Sequence, residues 1–386
     1  MPYLDYAASA PLRAGALAAM RPFLERPAAN PSSQHGPGRA ARAAVETARE
    51  QVAALVGADP GEVVFTSGGT EADNLAVKGT VLARDAGARH LVVSAVEHHA
   101  VLDAAAWALL DAGGAVDRAP VDERGRLRLD RLGELLQPGR TALVAVMAAN
   151  NEVGTVQPVA AAAELAHAAG AALLCDAVQA VGIPGVDMVA EGIDLLALAA
   201  HKLGGPTGVG ALVVRAGRQL RPLLHGGGQE RGLRSGTLPV AAIAGFGAAA
   251  AAAMAEREQG AAGLVQLRDR LLASLRALQP DLEVNGDPAG GLPGLLSVRF
   301  PGCRSEDLLL LLDRAGVACS AGSACASGAV TPSHVLLAMG RTPVEARETV
   351  RFSLGHGSTG ADVEAAAGAV GHALQVLAPV ASGGIA

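Results

Sequence analysis

Two apolar segments between residues 171 and 198 are each followed by polar residues that could act on a small molecule. Asp176 and Gln179 follow the first segment, and His201 and Lys202 follow the second. Apolar runs of this length are typical of strands covered on both faces, and open α/β sheets bind ligands just beyond the ends of such strands. A lysine and a carboxylate there fit a Schiff base to a cofactor aldehyde, with the carboxylate pairing a pyridinium nitrogen. A plain Asp–Lys ion pair at the sheet edge is the alternative.

A later segment of small residues, 319–325, contains two of the four cysteines. Cys325 lies on a loop of Gly, Ser and Ala, a position typical of a nucleophile. The alternative of a small buried hydrophobe suits Cys319 and Cys175 better. Arg351 interrupts an apolar segment, so its charge needs a partner, either a substrate carboxylate or a structural acid.

Two further segments could bind an anion. Gly69 and Thr70 join a predicted strand to a helix, where backbone amides and the helix dipole attract phosphate. The same residues could equally form a helix cap, and they match neither a Walker A loop nor a GxGxxG motif. The loop at 225–237 is rich in donors and could bind an anion through Thr237, or be an ordinary exposed loop.

Two polar turns fall at the same predicted sheet edge. His98 could stack on a cofactor ring or ligate a metal, although no cysteine or carboxylate stands at ligand spacing, and a capping histidine is the alternative. Asn151 follows another strand, where paired asparagines are common turn formers. The four cysteines show neither zinc spacing nor a disulfide framework. We therefore expect no metal site.

Composition limits the class of protein. The chain has 386 residues, of which 50% are hydrophobic and only 2% aromatic, so Ala, Val and Leu must form the core. A formal net charge of −6 argues against a nucleic-acid binder. The N-terminus lacks a secretory signal pattern, and the alanine run 248–253 is soon followed by charged residues, so we expect no membrane span and a cytoplasmic location.

Strand and helix patterns alternate from about residue 39 to residue 214, which predicts βαβ units and a mainly parallel sheet. A second, smaller region follows. The predicted strands are 62–66, 91–95, 142–148, 171–175, 194–198 and 209–214, and then 295–300 and 350–354. The predicted helices are 39–56, 70–84, 101–112 and 159–169, and then 241–258, 264–278, 305–315 and 361–377.

The ordered set of these motifs resembles the cysteine desulfurases, which are pyridoxal phosphate enzymes of fold type I related to the class-V aminotransferases. The resemblance runs nearly end to end, and its serine-alanine-cysteine loop is similar to the subgroup that supplies iron–sulfur assembly and thiolation pathways. The matching segments are 3–8, 30–35, 66–71, 97–98, 150–154, 176–179, 201–202, 234–239, 322–325 and 351–355.

The resemblance implies a large cofactor domain over 15–258, with a seven-stranded, mainly parallel sheet. It also implies a small α+β domain formed by 1–14 and 259–386. Lys202 would bind pyridoxal phosphate, Asp176 would pair the pyridinium nitrogen and Cys325 would receive the sulfur. The other implied roles are Gln179, Asn151 and His98 at the cofactor ring, Gly69, Thr70 and His201 at its phosphate, Thr237 reaching that phosphate from the partner subunit of a homodimer, and Arg351 and Asn30 at the substrate carboxylate.

The implied reaction converts L-cysteine to L-alanine and leaves a persulfide on Cys325, from which an acceptor protein takes the sulfur. Two alternatives are a related lyase that acts on selenocysteine or cysteine sulfinate, and a non-catalytic protein that presents sulfur within an assembly. The sequence departs from the family at Ala199. The family usually has a serine at this position, and the hydroxyl of that serine binds the phosphate. The resemblance does not indicate whether the acceptor serves iron–sulfur assembly, tRNA thiolation or DNA sulfur modification.

Overall fold

The computed structural model describes residues 1–25, 29–322 and 331–377. Its helices are α1 (Ala14–Leu24), α2 (Gly36–Leu55), α3 (Gly69–Leu82), α4 (His99–Asp111), α5 (Leu129–Leu135), α6 (Val159–Ala168), α7 (Val240–Leu278), α8 (Ser305–Arg314), α9 (His334–Ala338), α10 (Pro343–Arg347) and α11 (Gly360–Leu377). Its strands are β1 (Val63–Thr66), β2 (His90–Ser94), β3 (Ala115–Ala119), β4 (Thr141–Ala145), β5 (Ala172–Asp176), β6 (Leu195–Ala199), β7 (Gly210–Val214), β8 (Glu283–Asn285), β9 (Leu295–Arg299) and β10 (Thr349–Ser353).

Seven strands form one sheet in the order β1-β7-β6-β5-β4-β2-β3. All of them run parallel to one another except β7, which is antiparallel to both β1 and β6. The inner strands are buried along their whole length, because Val, Leu and Ala residues face helices on both sides. The predicted fold class, with its seven-stranded and mainly parallel sheet, is confirmed.

Separate apolar clusters fill the two faces of this sheet and the smaller C-terminal sheet. One face packs against α2, α6 and the first half of α7, and the other packs against α3 and α4. Strands β8, β9 and β10 form an antiparallel sheet covered by α8, α11 and the second half of α7. Leu4 joins this last cluster. The predicted domain bounds, 15–258 for one domain and 1–14 with 259–386 for the other, stay a prediction.

Helix α7 corrects the prediction of two helices at 241–258 and 264–278. It is one helix of 39 residues. Its first half packs in the core under the large sheet, its second half packs in the C-terminal cluster, and Gly260 lies between them against Ile183. By length and composition alone α7 could cross a membrane, a property that core helices of soluble proteins share. It packs along α1 and α2.

Several short elements are absent from the sequence-based prediction. Strand β3 occupies an edge of the large sheet, and its partly exposed residues include Asp117 and Arg118 in place of a regular apolar pattern. Helices α1, α5, α9 and α10 and strand β8 were also missed. Each of them has few buried residues of its own, so hydrophobic periodicity gives little signal.

The parallel arrangement brings several chain turns to one edge of the sheet. Strand β1 leads into α3, and β2 leads into α4. Strand β5 ends at Asp176, and β6 ends at Ala199, three residues before Lys202. Because parallel strands present their carboxyl ends at the same edge, residues distant in sequence meet there.

The apolar cluster that covers the C-terminal sheet offers a direct test of packing. Phe352 on β10 is 0% exposed within the C-terminal cluster, so we expect Phe352→Ala to lower the free energy of unfolding by about 3–5 kcal/mol through cavity formation. Leu310→Ala is the matched control, because Leu310 is 53% exposed on α8 and its loss should change stability by less than about 0.5 kcal/mol. Urea unfolding midpoints measure both, and equal midpoints would contradict the assigned core.

Candidate active site

Lys202 stands in a short turn directly after β6, with its amine turned toward the N-terminal segment. Its Nζ donates hydrogen bonds to the backbone oxygens of Ala7 and Ala8, the latter at 2.8 Å. Burial, helped by the nearby positive charge of Arg351, lowers the pKa of Lys202 to about 8. A larger fraction of the amine is therefore neutral near neutral pH than in an ordinary lysine, which makes it a better nucleophile.

Asp176 ends β5 and lies within electrostatic reach of Lys202. Its side chain accepts a hydrogen bond from the Val178 amide at 2.9 Å, and the residue is 6% exposed. Burial raises the pKa of Asp176, while this hydrogen bond and the charges of His98 and Lys202 oppose the rise. The charged form of a buried carboxyl of this kind is strongly stabilised by a cation placed against it.

Gln179 and the backbone of Ala7 tie this region together. The Gln179 Nε2 donates to the Ala7 carbonyl at 2.7 Å, so one oxygen receives both Gln179 and Lys202. Ala7 has no predicted role, although the segment that contains it, residues 3–8, belongs to the family motif. A residue that contributes only its backbone oxygen can have almost any side chain, so its role cannot be predicted from the sequence.

His98 caps the N-terminus of α4. Its Nδ1 accepts a hydrogen bond from the Ala100 amide at 3.1 Å, so the proton of the neutral ring lies on Nε2. Burial lowers the pKa of His98, and both Asp176 and Lys202 act on its charge. Nδ1 therefore caps the helix, as the capping interpretation has it, and the imidazole feels the charges of both residues. Its predicted role at a cofactor ring stays a prediction.

The N-terminus of α3 forms a small donor-lined recess. No side chain caps this 14-residue helix, so its first amides are available to an anion. A Cβ on Gly69 would come within 2.7 Å of Val178, which shows how closely the backbone approaches β5 and β6. Thr70 follows directly and is exposed. Burial lowers the pKa of His201 to about 4, so this imidazole is neutral near neutral pH. Its predicted role at the phosphate stays a prediction.

Arg351 lies on β10 and is 4% exposed. Its Nη2 donates to Asp5 at 2.7 Å and to Ser320 at 2.8 Å, and its Nη1 donates to the backbone oxygen of Asn151 at 2.8 Å. Its Nε is buried and has no hydrogen-bond partner among the residues that the structure describes. The guanidinium therefore has a structural acid in Asp5 and keeps one donor that no described residue accepts. Its predicted role at a substrate carboxylate stays a prediction. Asp5 itself has no predicted role.

Three predicted site residues are not placed in this cluster. Asn30 is exposed, and its side-chain oxygen accepts from the Ser32 amide at 2.9 Å, a local turn before α2. Thr237 is also exposed, and its predicted partner is another subunit. Cys325 lies outside the described residues. Their predicted roles stay predictions.

The described cysteines are poorly suited to act as nucleophiles. Cys175 is fully buried, and burial raises its pKa. Burial also raises the pKa of Cys303, and it raises that of Cys319 to about 12. Because the thiolate is the reactive form of cysteine, all three thiols are held in the unreactive form near neutral pH.

These residues fit pyridoxal phosphate. The uncapped start of α3 and the glycine recess match a phosphate group. The buried carboxyl of Asp176 matches a pyridinium nitrogen, and the lowered pKa of Lys202 matches an amine that attacks an aldehyde. The chain has only one other lysine, Lys78, whose Nζ lies 5.0 Å from the centre of the Trp107 ring. Within the described ranges no group of three or more His, Cys, Asp or Glu side chains is placed to hold a metal.

Comparisons with known proteins agree over nearly the whole length. The family described as Aminotransferase class-V matches residues 2–366. The IscS-like cysteine desulfurase of Mycobacterium tuberculosis (strain ATCC 25618 / H37Rv) is 46% identical over 95% of this chain and 94% of its own. A solved NifS-like protein is 34% identical over 97% of this chain and 99% of its own, with a TM-score of 0.91. A structure described as SspA in complex with cysteine is 34% identical over 92% of this chain and 99% of its own, with a TM-score of 0.80.

The pH dependence of cofactor binding tests the lowered pKa of Lys202. Because only the neutral amine attacks an aldehyde, the rate at which cofactor-free protein binds pyridoxal phosphate should rise as pH rises through about 8 and then level off. Stopped-flow absorbance follows the rate. Lys202→Ala should abolish the new absorbance, whereas Lys78→Ala should leave the profile unchanged. A rate that climbs only near pH 10, the range of an ordinary lysine, would contradict the lowered pKa.

Ala199 allows a test of the recess at α3. Its methyl group lies 3.7 Å from the position of a Cβ on Gly69, so it faces the start of that helix. We expect Ala199→Ser to tighten pyridoxal phosphate binding by roughly 10- to 100-fold, because a hydroxyl there adds one hydrogen bond to a charged group. Equilibrium titration measures the affinity. An unchanged or weaker affinity would contradict placement of the phosphate between Ala199 and Gly69.

Proposed function

The chain belongs to the class-V aminotransferase family, within which it is a pyridoxal phosphate-dependent cysteine desulfurase, and from this premise we propose which of its residues perform the reaction. The observation that supports the proposal most is the juxtaposition of Lys202 and Asp176 at one edge of the sheet, beside the uncapped start of α3. The same edge also presents His98 and Gln179.

The cofactor would be held along this edge by residues from four turns. When bound, pyridoxal phosphate withdraws electrons from the α-carbon of an amino acid. Lys202 would hold its aldehyde carbon, and Asp176 would fix the positive charge of its ring nitrogen. The remaining contacts are Gln179, Asn151 and His98 around the ring, and Gly69, Thr70 and His201 at the phosphate.

Two side chains would act on the substrate directly. Arg351 would bind the carboxylate of cysteine, using the Nε donor that has no partner among the described residues and exchanging part of its contact with Asp5. Asn30 would assist it. The Lys202 amine, with its lowered pKa, would take the proton from the α-carbon, and the Nε2 of His98 would assist proton movement.

Cys325 would be the residue that accepts sulfur. Its Sγ would attack the sulfur of the substrate, so that one S–S bond forms, the substrate C–S bond breaks, and its electron pair stays on the departing carbon. Protonation of that carbon gives alanine and leaves a persulfide on Cys325. The raised pKa values of the three described thiols support this assignment, because they make Cys175, Cys303 and Cys319 poor nucleophiles near neutral pH.

The named relatives support the substrate class, and the partners are our proposal. Relatives named cysteine desulfurases imply a cysteine substrate and transfer of its sulfur to an acceptor, and one solved relative is described as in complex with cysteine. We further propose a homodimer in which Thr237 of one subunit reaches the phosphate site of the other. A separate acceptor protein would then take the sulfur in the cytoplasm.

Paired cysteine variants test the nucleophile. We expect Cys325→Ala to retain the absorbance of bound cofactor but to lose formation of alanine and sulfide from cysteine plus a thiol reductant, because no other reactive thiolate is available. Loss of the attacking group typically lowers turnover by several orders of magnitude, on the order of 10⁴-fold or more. Cys319→Ala is the control and should keep its turnover. Full desulfuration by Cys325→Ala would sink the assignment.

A further inference from the structure

The guanidinium of Arg351 is paired with an acid from the N-terminal segment of the chain. Arg351 is 4% exposed on β10, and its Nη2 donates to Asp5 Oδ1 at 2.7 Å. A buried arginine that loses its counter-ion is strongly destabilising, because its charge has little access to water. Asp5 therefore supplies the negative charge that this position needs whenever no substrate carboxylate is bound to it.

The donors of this guanidinium are unevenly occupied. Nη2 uses both of its hydrogens, one for Asp5 and one for the Ser320 hydroxyl at 2.8 Å, whereas Nε has no partner among the described residues. Nη1 donates to the backbone oxygen of Asn151 at 2.8 Å. Each edge of a guanidinium that can bind a carboxylate through two parallel bonds includes a hydrogen of Nη2. A substrate carboxylate therefore forms both bonds only if Nη2 releases one of these two acceptors.

Asp5 is the acceptor that is better suited to leave. Its side chain is 20% exposed, so its carboxylate can turn toward water and remain solvated. Charge favours the same outcome, because two carboxylates placed against one guanidinium repel each other. Ser320 is neutral, and its hydroxyl also accepts the amide of Gly322 at 3.3 Å. Displacement of Ser320 would therefore relieve no repulsion and would break a second hydrogen bond.

The backbone around Asp5 is fixed against β10, so the exchange needs only a rotation of the side chain. The backbone oxygen of Leu4 accepts the Ser353 amide at 2.8 Å, and the Tyr6 amide donates to the backbone oxygen of Ser353 at 3.3 Å. The Ala7 amide donates to the Ser353 hydroxyl oxygen at 2.9 Å. Because these bonds do not involve the Asp5 carboxylate, they persist when it leaves the guanidinium.

We infer that Asp5 competes with the amino-acid carboxylate for Arg351, so that it is displaced when cysteine binds and pairs with the guanidinium again when alanine leaves. The inference rests on the proposed function, since it requires Arg351 to bind the substrate carboxylate. Cysteine and alanine carry the same carboxylate, so Arg351 alone would bind substrate and product equally well. A competitor within the chain weakens both and speeds the departure of alanine, a step that limits many enzymes.

Equilibrium binding of L-alanine to the cofactor-loaded protein isolates this competition, because alanine has no sulfur and needs no enzyme thiol. Titration followed by the absorbance of the cofactor gives the Kd. We expect Asp5→Asn and Asp5→Ala to bind alanine about tenfold more tightly, the lower end of the range for a hydrogen bond to a charged group. Asp5→Glu, which keeps the competing charge, should bind alanine as the original protein does. A merely structural role of Asp5 would give the opposite sign, because a disordered site binds its ligand less tightly.

Tyr3→Phe is the matched control within the same segment. The Tyr3 hydroxyl donates to the backbone oxygens of Asp5 at 3.3 Å and Ser9 at 2.8 Å, so its removal leaves the Asp5 carboxylate in place. The Kd for alanine should therefore stay unchanged. Unchanged or weaker binding in both Asp5→Asn and Asp5→Ala, together with weaker binding in Arg351→Gln, would overturn the inference and leave the proposed function intact. Arg351→Gln that binds alanine as tightly as the original protein would overturn the proposed role of Arg351, and the inference with it.

Discussion

The structure of this site depends on an amine and a carboxyl that are both largely removed from water. Burial lowers the pKa of Lys202 and raises that of Asp176, so each residue is more easily neutralised than it would be in solvent. The carbonyls of Ala7 and Ala8 stabilise the amine, and the Val178 amide stabilises the carboxyl. A bound pyridinium cation would neutralise the carboxylate of Asp176, and an aldehyde carbon would react with the amine of Lys202. The two residues are in this sense preorganised for pyridoxal phosphate.

The parallel sheet is what makes this juxtaposition possible. Strands β5 and β6 are adjacent and parallel, so Asp176 and the turn containing Lys202 emerge at the same edge. The N-terminal segment then crosses to this edge, where it is also held by Arg351 through Asp5. Helix α3 begins there as well and contributes amides that need an anion. Each functional group therefore reaches the site through the end of a regular element.

Much of this arrangement could be predicted from local patterns, and the remainder depends on contacts that such patterns do not encode. The apolar strands and the residues that follow them, Asp176 and Lys202, were recognisable because their spacing is local. The roles of Ala7 and Asp5 were not, because their partners Lys202 and Arg351 lie 195 and 346 residues away. The single helix α7 was divided in the prediction at a glycine-rich stretch, since sequence alone does not show that two separate cores support its halves.

Lys202 is the residue that we propose to bind the cofactor covalently. Because the chain has only one other lysine, Lys78, a single measurement can test this assignment. The protein loaded with pyridoxal phosphate can be reduced with borohydride, digested and mapped by mass spectrometry, so that the reduced cofactor marks its point of attachment. We expect the label on the peptide that contains Lys202 and none on the peptide that contains Lys78. A label on Lys78, or an active protein with no label on Lys202, would contradict it.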